Sequence, residues 1–100
     1  MGRPAEIAND IYSMGVVFFE MLTGHVPFDG KDPEEIAVKQ VRSRFPEVSK
    51  FVPSVPVMID RIIAQACRKR PEERYLTAEE FHDAILRAMN DKEQFKERKG

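Results

Sequence analysis

The residues of this chain able to do chemistry are few. One cysteine, Cys67, and two histidines, His25 and His82, are the only soft ligands. They are too widely scattered to read as a zinc site, so Cys67 reads as a small buried thiol and no metal is expected. Neither histidine has a recognisable acid–base partner in sequence. No glycine-rich phosphate loop and no nucleophile elbow occur. The run "RKRPEER" (Arg68–Arg74) gathers positive charge but includes Glu72 and Glu73. That mixture suits a solvated, self-pairing loop better than a nucleic-acid patch. No catalytic residue emerges from this search.

The totals narrow the classes further. One hundred residues, 42% apolar and 33% charged, describe one small soluble domain. A net charge of -1 supplies no global field toward nucleic acid or an anionic membrane. The single cysteine forms no internal disulfide, which fits a reducing compartment. No stretch reaches the ~20 apolar residues of a membrane span. "MGRPAEIAND" lacks the build of a signal peptide. Gly2 is followed by Glu6 where myristoylation wants Ser or Thr, so that modification is rejected. The chain is expected to be cytoplasmic.

Four helices are predicted, with no strand signals, so the expected fold class is all-α. The first runs from about Asn9 or Asp10, as cap, to Thr23, with Gly24 as its left-handed stop. The second starts at "DPEE", with Asp32 as cap, Pro33 in the first turn and Glu35 reaching back. Ile36, Val38 and Val41 give it a partial apolar stripe. "PEVSKFVPSVP" reads as a connector. Ile59, Ile62, Ile63, Ala66 and Cys67 then recur at helical spacing, placing a third helix over about Val57 to Arg68. In the fourth helix Thr77 caps and Glu80 completes the box, while Ala78, Phe81, Ile85, Ala88 and Met89 mark the buried face. Residues 1–90 form the expected domain. Residues 91–100 are a charge-dense tail, either a disordered segment or a helical extension, with Phe95 its only large apolar residue.

Two stretches carry a resemblance to a known family. "DIYSMGVVFFEMLTGHVPF" (Asp10–Phe28) combines an aspartate, an aromatic, a glycine, an apolar helix and an "LTG-x-x-PF" turn. It resembles the central helix of the C-terminal lobe of serine/threonine protein kinases. "CRKRPEERYLTAEEF" (Cys67–Phe81) is similar to the loop near the end of that lobe, with Arg74 ahead of the last helix. The flavour resembles bacterial membrane-anchored kinases with PASTA repeats. Arg70-Pro71 stands where the family usually has Asp-Pro, which puts the hydrogen bonding of that loop in question. "IAVK" at Ile36–Lys39 looks like the strand bearing the ATP-binding lysine, but it lies inside a capped helix and is set aside. "PAE" at Pro4–Glu6 is not read as the Ala-Pro-Glu motif. In the family roughly a dozen residues separate that glutamate from the helix aspartate. Met1 is therefore expected to be an artificial or internal start.

The resemblance assigns roles. Asp10 resembles the aspartate whose carboxylate accepts backbone N–H bonds from the catalytic loop; otherwise it is a plain helix cap. Val17 and Met21 match positions supporting the apolar column beneath the adenine ring, a role compatible with ordinary core. Glu20 sits where some kinases contact a basic substrate residue, or it is a solvated helix-end carboxylate. Arg74 matches the arginine that pairs with the Ala-Pro-Glu glutamate. With that partner missing, it is expected to be free or paired with Glu72 or Glu73, and its removal to matter little, within about 0.5 kcal/mol.

By this resemblance the parent would transfer the γ-phosphoryl group of ATP, with Mg2+, to protein hydroxyls. The chain itself would hold no cofactor and be inactive alone, supplying scaffold and a docking surface on the second helix. Its partners would be the missing N-lobe and catalytic segment together with protein substrates, not nucleic acid. A membrane anchor, if the parent has one, would lie outside this chain. The alternatives are a free-standing helical interaction module or, more weakly, a nucleic-acid binder through "RKRPEER". A helix apolar on all faces is a buried helix. Ile11, Met14, Val17, Phe18 and Met21 are thus expected to lose cover in the isolated chain, at about 1.5–3 kcal/mol for each large side chain left in water. Self-association, through the first helix or by exchange of a terminal helix between copies, is the expected remedy.

Overall fold

The computed structural model describes residues 3–99, with side chains described for residues 3–90. The readings at Met1, at Gly2 and at the Phe95 side chain lie outside the described residues. The fold is all-α, and no strand occurs among the described residues. Four helices follow in chain order: α1 (Pro4–Thr23), α2 (Pro33–Arg42), α3 (Val57–Ala66) and α4 (Ala78–Lys99). Short 3-10 turns at Val48–Lys50 and Pro71–Glu73 punctuate the connections.

Local chemistry accounts for most of the ends. α1 starts earlier than Asn9, because Pro4 tolerates the first turn and Glu6 reaches back to accept the Arg3 N–H at 3.3 Å. Asp10 is therefore inside the helix, and its reading as a cap is corrected. Gly24 adopts φ 74°, and its N–H reaches the Glu20 carbonyl at 2.8 Å, closing α1 as its sequence requires. Asp32 caps α2 by accepting the Glu35 N–H at 2.8 Å. The Glu35 carboxylate takes the N–H of Lys31, at 3.4 Å. Thr77 caps α4 through the Glu80 N–H at 3.1 Å. α3 has no side-chain cap; Pro56 precedes it, and it ends at Ala66, short of Arg68.

The core lies between α1 and α3 and is sealed by the connector and α4. Phe19, wholly buried, stands edge-on to Phe45 at 5.4 Å and to Phe51 at 5.9 Å. Phe45 in turn meets Phe28 at 5.6 Å and Tyr12 at 6.4 Å. Edge-to-face geometry brings the positive ring edge to a negative ring face, adding to the area buried. Val48 is buried under the same cluster, and the Asp60 carboxylate fixes its turn by accepting the N–H of Val48 at 2.5 Å and of Ser49 at 3.3 Å. On α4, Phe81 and Ala88 are buried and Ile85 is partly so, while Ala78 and Met89 face solvent.

α1 is covered on one side only. Ala8, Ile11, Gly15 and Phe19 form its buried stripe. Ile11, expected to lose cover, is 1% exposed, because α3 and its neighbours close over it. Met14 and Phe18 are half-buried, with the Phe18 ring edge-on to Phe81 at 6.5 Å. Val17 and Met21 remain 54% and 76% exposed.

Gly15 sets the approach of α1 to α3. A Cβ there would lie 2.6 Å from the Cys67 Sγ and 3.1 Å from the Ala66 Cβ. Alanine improves helix propensity by about 1 kcal/mol over glycine. Overpacking costs about 1–3 kcal/mol and outweighs that gain here, because Cys67 and Ala66 are both buried. Urea denaturation should show Gly15→Ala less stable, by up to about 2 kcal/mol. In a Cys67→Ala background the same change should lose less, since the colliding sulfur is gone.

Candidate functional site

Among the described residues, the polar side chain that reaches furthest along the sequence is Arg74. Its backbone N–H closes the turn by bonding the Pro71 carbonyl at 3.1 Å, which turns the side chain back toward α1. There Nη1 donates to the Ala8 carbonyl at 3.0 Å, while Nε donates to the Arg68 carbonyl at 2.8 Å. The guanidinium also lies 4.9 Å from the centroid of the Tyr12 ring. One cation thus fastens the loop after α3 to the first third of α1. Hydrogen bonds from charged donors are the stronger kind, and the aromatic face adds to them.

The expectation that Arg74 is free or paired with Glu72 or Glu73 is corrected. Both glutamates belong to the 3-10 turn immediately before it and are exposed. The side chain reaches across to backbone carbonyls instead, which no sequence spacing announces. Arg74, Lys69, Tyr12, Asn9, Ser13 and Gln40 line a hollow of about 410 Å³. Lys69 donates to the Gln40 carbonyl and lies 4.9 Å over the Phe28 ring. Partial burial lowers its ammonium pKa, opposed by Cys67.

Beside this junction lies Cys67, 2% exposed, its thiol 3.7 Å from the Tyr12 carbonyl. Burial pushes that thiol up to about 12, against the pull of Arg74 and then Lys69. It is a buried thiol, as its sequence context predicts, and a poor nucleophile. Burial, and then Cys67, also raise the Tyr12 phenol, against the pull of Arg74. Among the described residues no group of three or more His, Cys, Asp or Glu could hold a metal ion. Nor is any helix among them long and apolar enough to cross a membrane.

The other predicted residues sit elsewhere. Asp10, Val17 and Met21 fall at helical spacing on a single stripe of α1, turned away from its buried stripe and exposed. Glu20 is half-buried at the margin. The structure therefore joins Asp10, Val17 and Met21 on an outward face and places Arg74 on the packed side. Tyr12 and the Ala8 carbonyl complete the arginine's seat. Tyr12 belongs to the opening motif, but only the fold reveals that Arg74 lies over its ring.

A packing of four helices of this kind, with an arginine fastening the loop after α3 to α1, is consistent with part of a protein-kinase C-lobe. No family model matches the chain. The chain is similar to a segment of bacterial serine/threonine protein kinases, and the resemblance drawn from its two motifs holds. It is 40% identical over 89 residues to the serine/threonine-protein kinase PrkC of Bacillus subtilis, covering 89% of this chain and 14% of that protein. With the probable serine/threonine-protein kinase PknB of Bifidobacterium longum it shares 42% over 89 residues, 89% of this chain and 13% of the relative. A probable serine/threonine-protein kinase of Clostridium acetobutylicum is 34% identical over 98 residues, 94% of this chain and 15% of the relative. The chain thus spans only a small part of the curated relatives it matches.

Two outcomes follow from the Arg74 junction. Arg74→Ala should lose about 1.5–3 kcal/mol in urea denaturation, beyond the small loss expected of an exposed loop residue, because the carbonyls of Ala8, Arg68 and Lys69 lose a charged donor. Arg74→Lys, lacking the fork, should recover only part. Because the folded Cys67 thiol is raised to about 12, the folded state keeps its proton where the unfolded chain releases one. Its contribution is complete below the unfolded thiol value and is lost as pH rises toward 12. Stability should therefore fall from about pH 9 upward, by as much as ~1.4 kcal/mol per pH unit for one proton. Cys67→Ala should flatten that fall.

Proposed function

We propose that the chain is the C-terminal part of the C-lobe of a serine/threonine protein kinase. The parent would transfer the γ-phosphoryl group of ATP, with Mg2+, to protein serine or threonine. The observation that carries this reading is the 40% identity to PrkC over 89% of the chain, spanning 14% of that kinase. The exposed stripe of α1 supports it. Asp10 would anchor backbone N–H groups of the catalytic loop, and Val17 and Met21 would underlie the adenine column. Glu20 would meet a basic substrate residue. α2 would offer a docking surface for protein substrates.

Arg74 has a part in the same reading. Its guanidinium carries five N–H donors, of which one each goes to the Ala8, Arg68 and Lys69 carbonyls. The rest suit a carboxylate entering the hollow beside Tyr12, which the parent would supply from its activation segment. ATP and Mg2+ would be bound by the parent. The groups that bind both would lie in other parts of the parent. Catalysis of this class is almost entirely positioning and electrostatics, so the chain alone would be inactive.

Calorimetric titration of the chain with MgATP should show no saturable binding. A longer protein carrying this chain together with a His-Arg-Asp segment should phosphorylate serine or threonine; a well-folded but inactive product would overturn the reading. The isolated chain would associate through the outward stripe of α1, where exposed Met21 and Val17 have no cover. Sedimentation should detect dimers, and Met21→Asp should dissociate them while changing monomer stability by less than about 0.5 kcal/mol. A monomer at every concentration would remove self-association and leave the kinase reading standing.

A further inference from the structure

A concavity of about 1020 Å³ adjoins the Arg74 hollow, sharing Val41 and Lys69 with it, and opens away from the outward stripe of α1. It runs from the end of α2 over residues 43–47 to the outer face of α3 and the loop that follows. Val57, Arg61, Ala64 and Arg68 recur along that face at helical spacing, with small, exposed Ala64 at its middle. Arg42 and Arg44 approach from the α2 side, and Arg70 closes the far end. All five arginines are exposed, and none forms a salt bridge among the described residues.

This charge is only partly balanced locally. The lining holds six cationic residues and three acidic ones, although the chain as a whole carries -1. Of the three, the Asp60 carboxylate is engaged by the N–H groups of Val48 and Ser49. Glu47 and Glu73 remain, one on each side. Fixed guanidinium groups gathered in a concave wall focus their field on whatever enters it. Their planar forks match carboxylates.

We propose that this groove binds an acidic peptide segment, with Arg61 and Arg68 of the α3 side and Arg42 and Arg44 opposite as its charge readers. α3 spans ten residues, Val57–Ala66, or ~15 Å of helix, the length of about five residues of extended peptide. Discrete carboxylates on such a segment meet the arginines and pass clear of Glu47 and Glu73. A phosphate backbone instead carries a charge at every step. Phe45 is buried, so the groove also lacks an exposed aromatic platform for nucleic-acid bases. Between the arginines, Val57 and Ala64 form an apolar floor for an intervening aliphatic side chain. The inference gives a chemistry to the docking role proposed above and rests on that part of the reading alone.

The probe is a fluorescein-labelled peptide of alternating glutamate and leucine, about eight residues long, added to the chain without ATP. Fluorescence anisotropy should show saturable binding that weakens as salt rises. Arg61→Glu with Arg68→Glu should weaken it by about tenfold or more, whereas Arg87→Glu, on α4 outside the groove, should leave it unchanged. Should the double variant melt early, Ala64→Glu serves in its place, since it sets a carboxylate at an exposed helical position on the groove floor. Absence of saturable binding, binding indifferent to these groove changes, or tighter binding of a single-stranded oligonucleotide of equal charge would each overturn the proposal. Since no phosphoryl transfer is read, failure here leaves the parent's kinase activity open, and an inactive parent leaves the groove intact.

Discussion

The arrangement of the chain depends on how near α1 lies to α3. At Gly15 the two helices leave no room for a side chain, because the Cys67 sulfur and the Ala66 methyl occupy the space a Cβ would need. A closer approach extends the burial of Ile11 and Phe19 against Ile59, Ile62 and Ile63, which form one continuous cluster. It also delivers the chain emerging from α3 to the side of α1, beside Tyr12 and Ala8. A bulkier residue at that crossing would separate the helices and move everything that follows α3.

Arg74 converts that proximity into a fixed connection. Its guanidinium spans from the Arg68 carbonyl to the Ala8 carbonyl, so the loop cannot drift without abandoning charged hydrogen bonds. Tyr12 contributes its ring to the cation and its carbonyl to the Cys67 thiol. The same few residues therefore serve packing, loop closure and the electrostatic character of the hollow.

The surfaces left open differ in kind. The outward stripe of α1 carries Val17 and Met21 beside Asp10, and both remain exposed. The groove beside α3 is cationic and flanked by loops. An apolar stripe is satisfied by packed side chains that exclude water, and a cationic groove by carboxylates. The two faces thus suit different occupants.

Helix order, the stop at Gly24 and the caps at Asp32 and Thr77 were legible in the residues alone, since each depends on contacts within a few positions. The two motifs also sufficed to indicate the kinase resemblance, and apolar spacing in α3 identified the buried Ile59, Ile62 and Ile63. What escaped was long-range. The first helix began at Pro4, because a proline and Glu6 made a better start than Asp10. The apolar residues of α1 were equivalent in composition, yet Ile11 was buried and Met21 exposed; helical phase and a neighbour on one side separated them. Arg74 had glutamates beside it in sequence, but its partners were backbone carbonyls, one of them on α1. Carbonyl groups are common to every residue and leave no mark on side-chain patterns, so only the tertiary structure could choose among them.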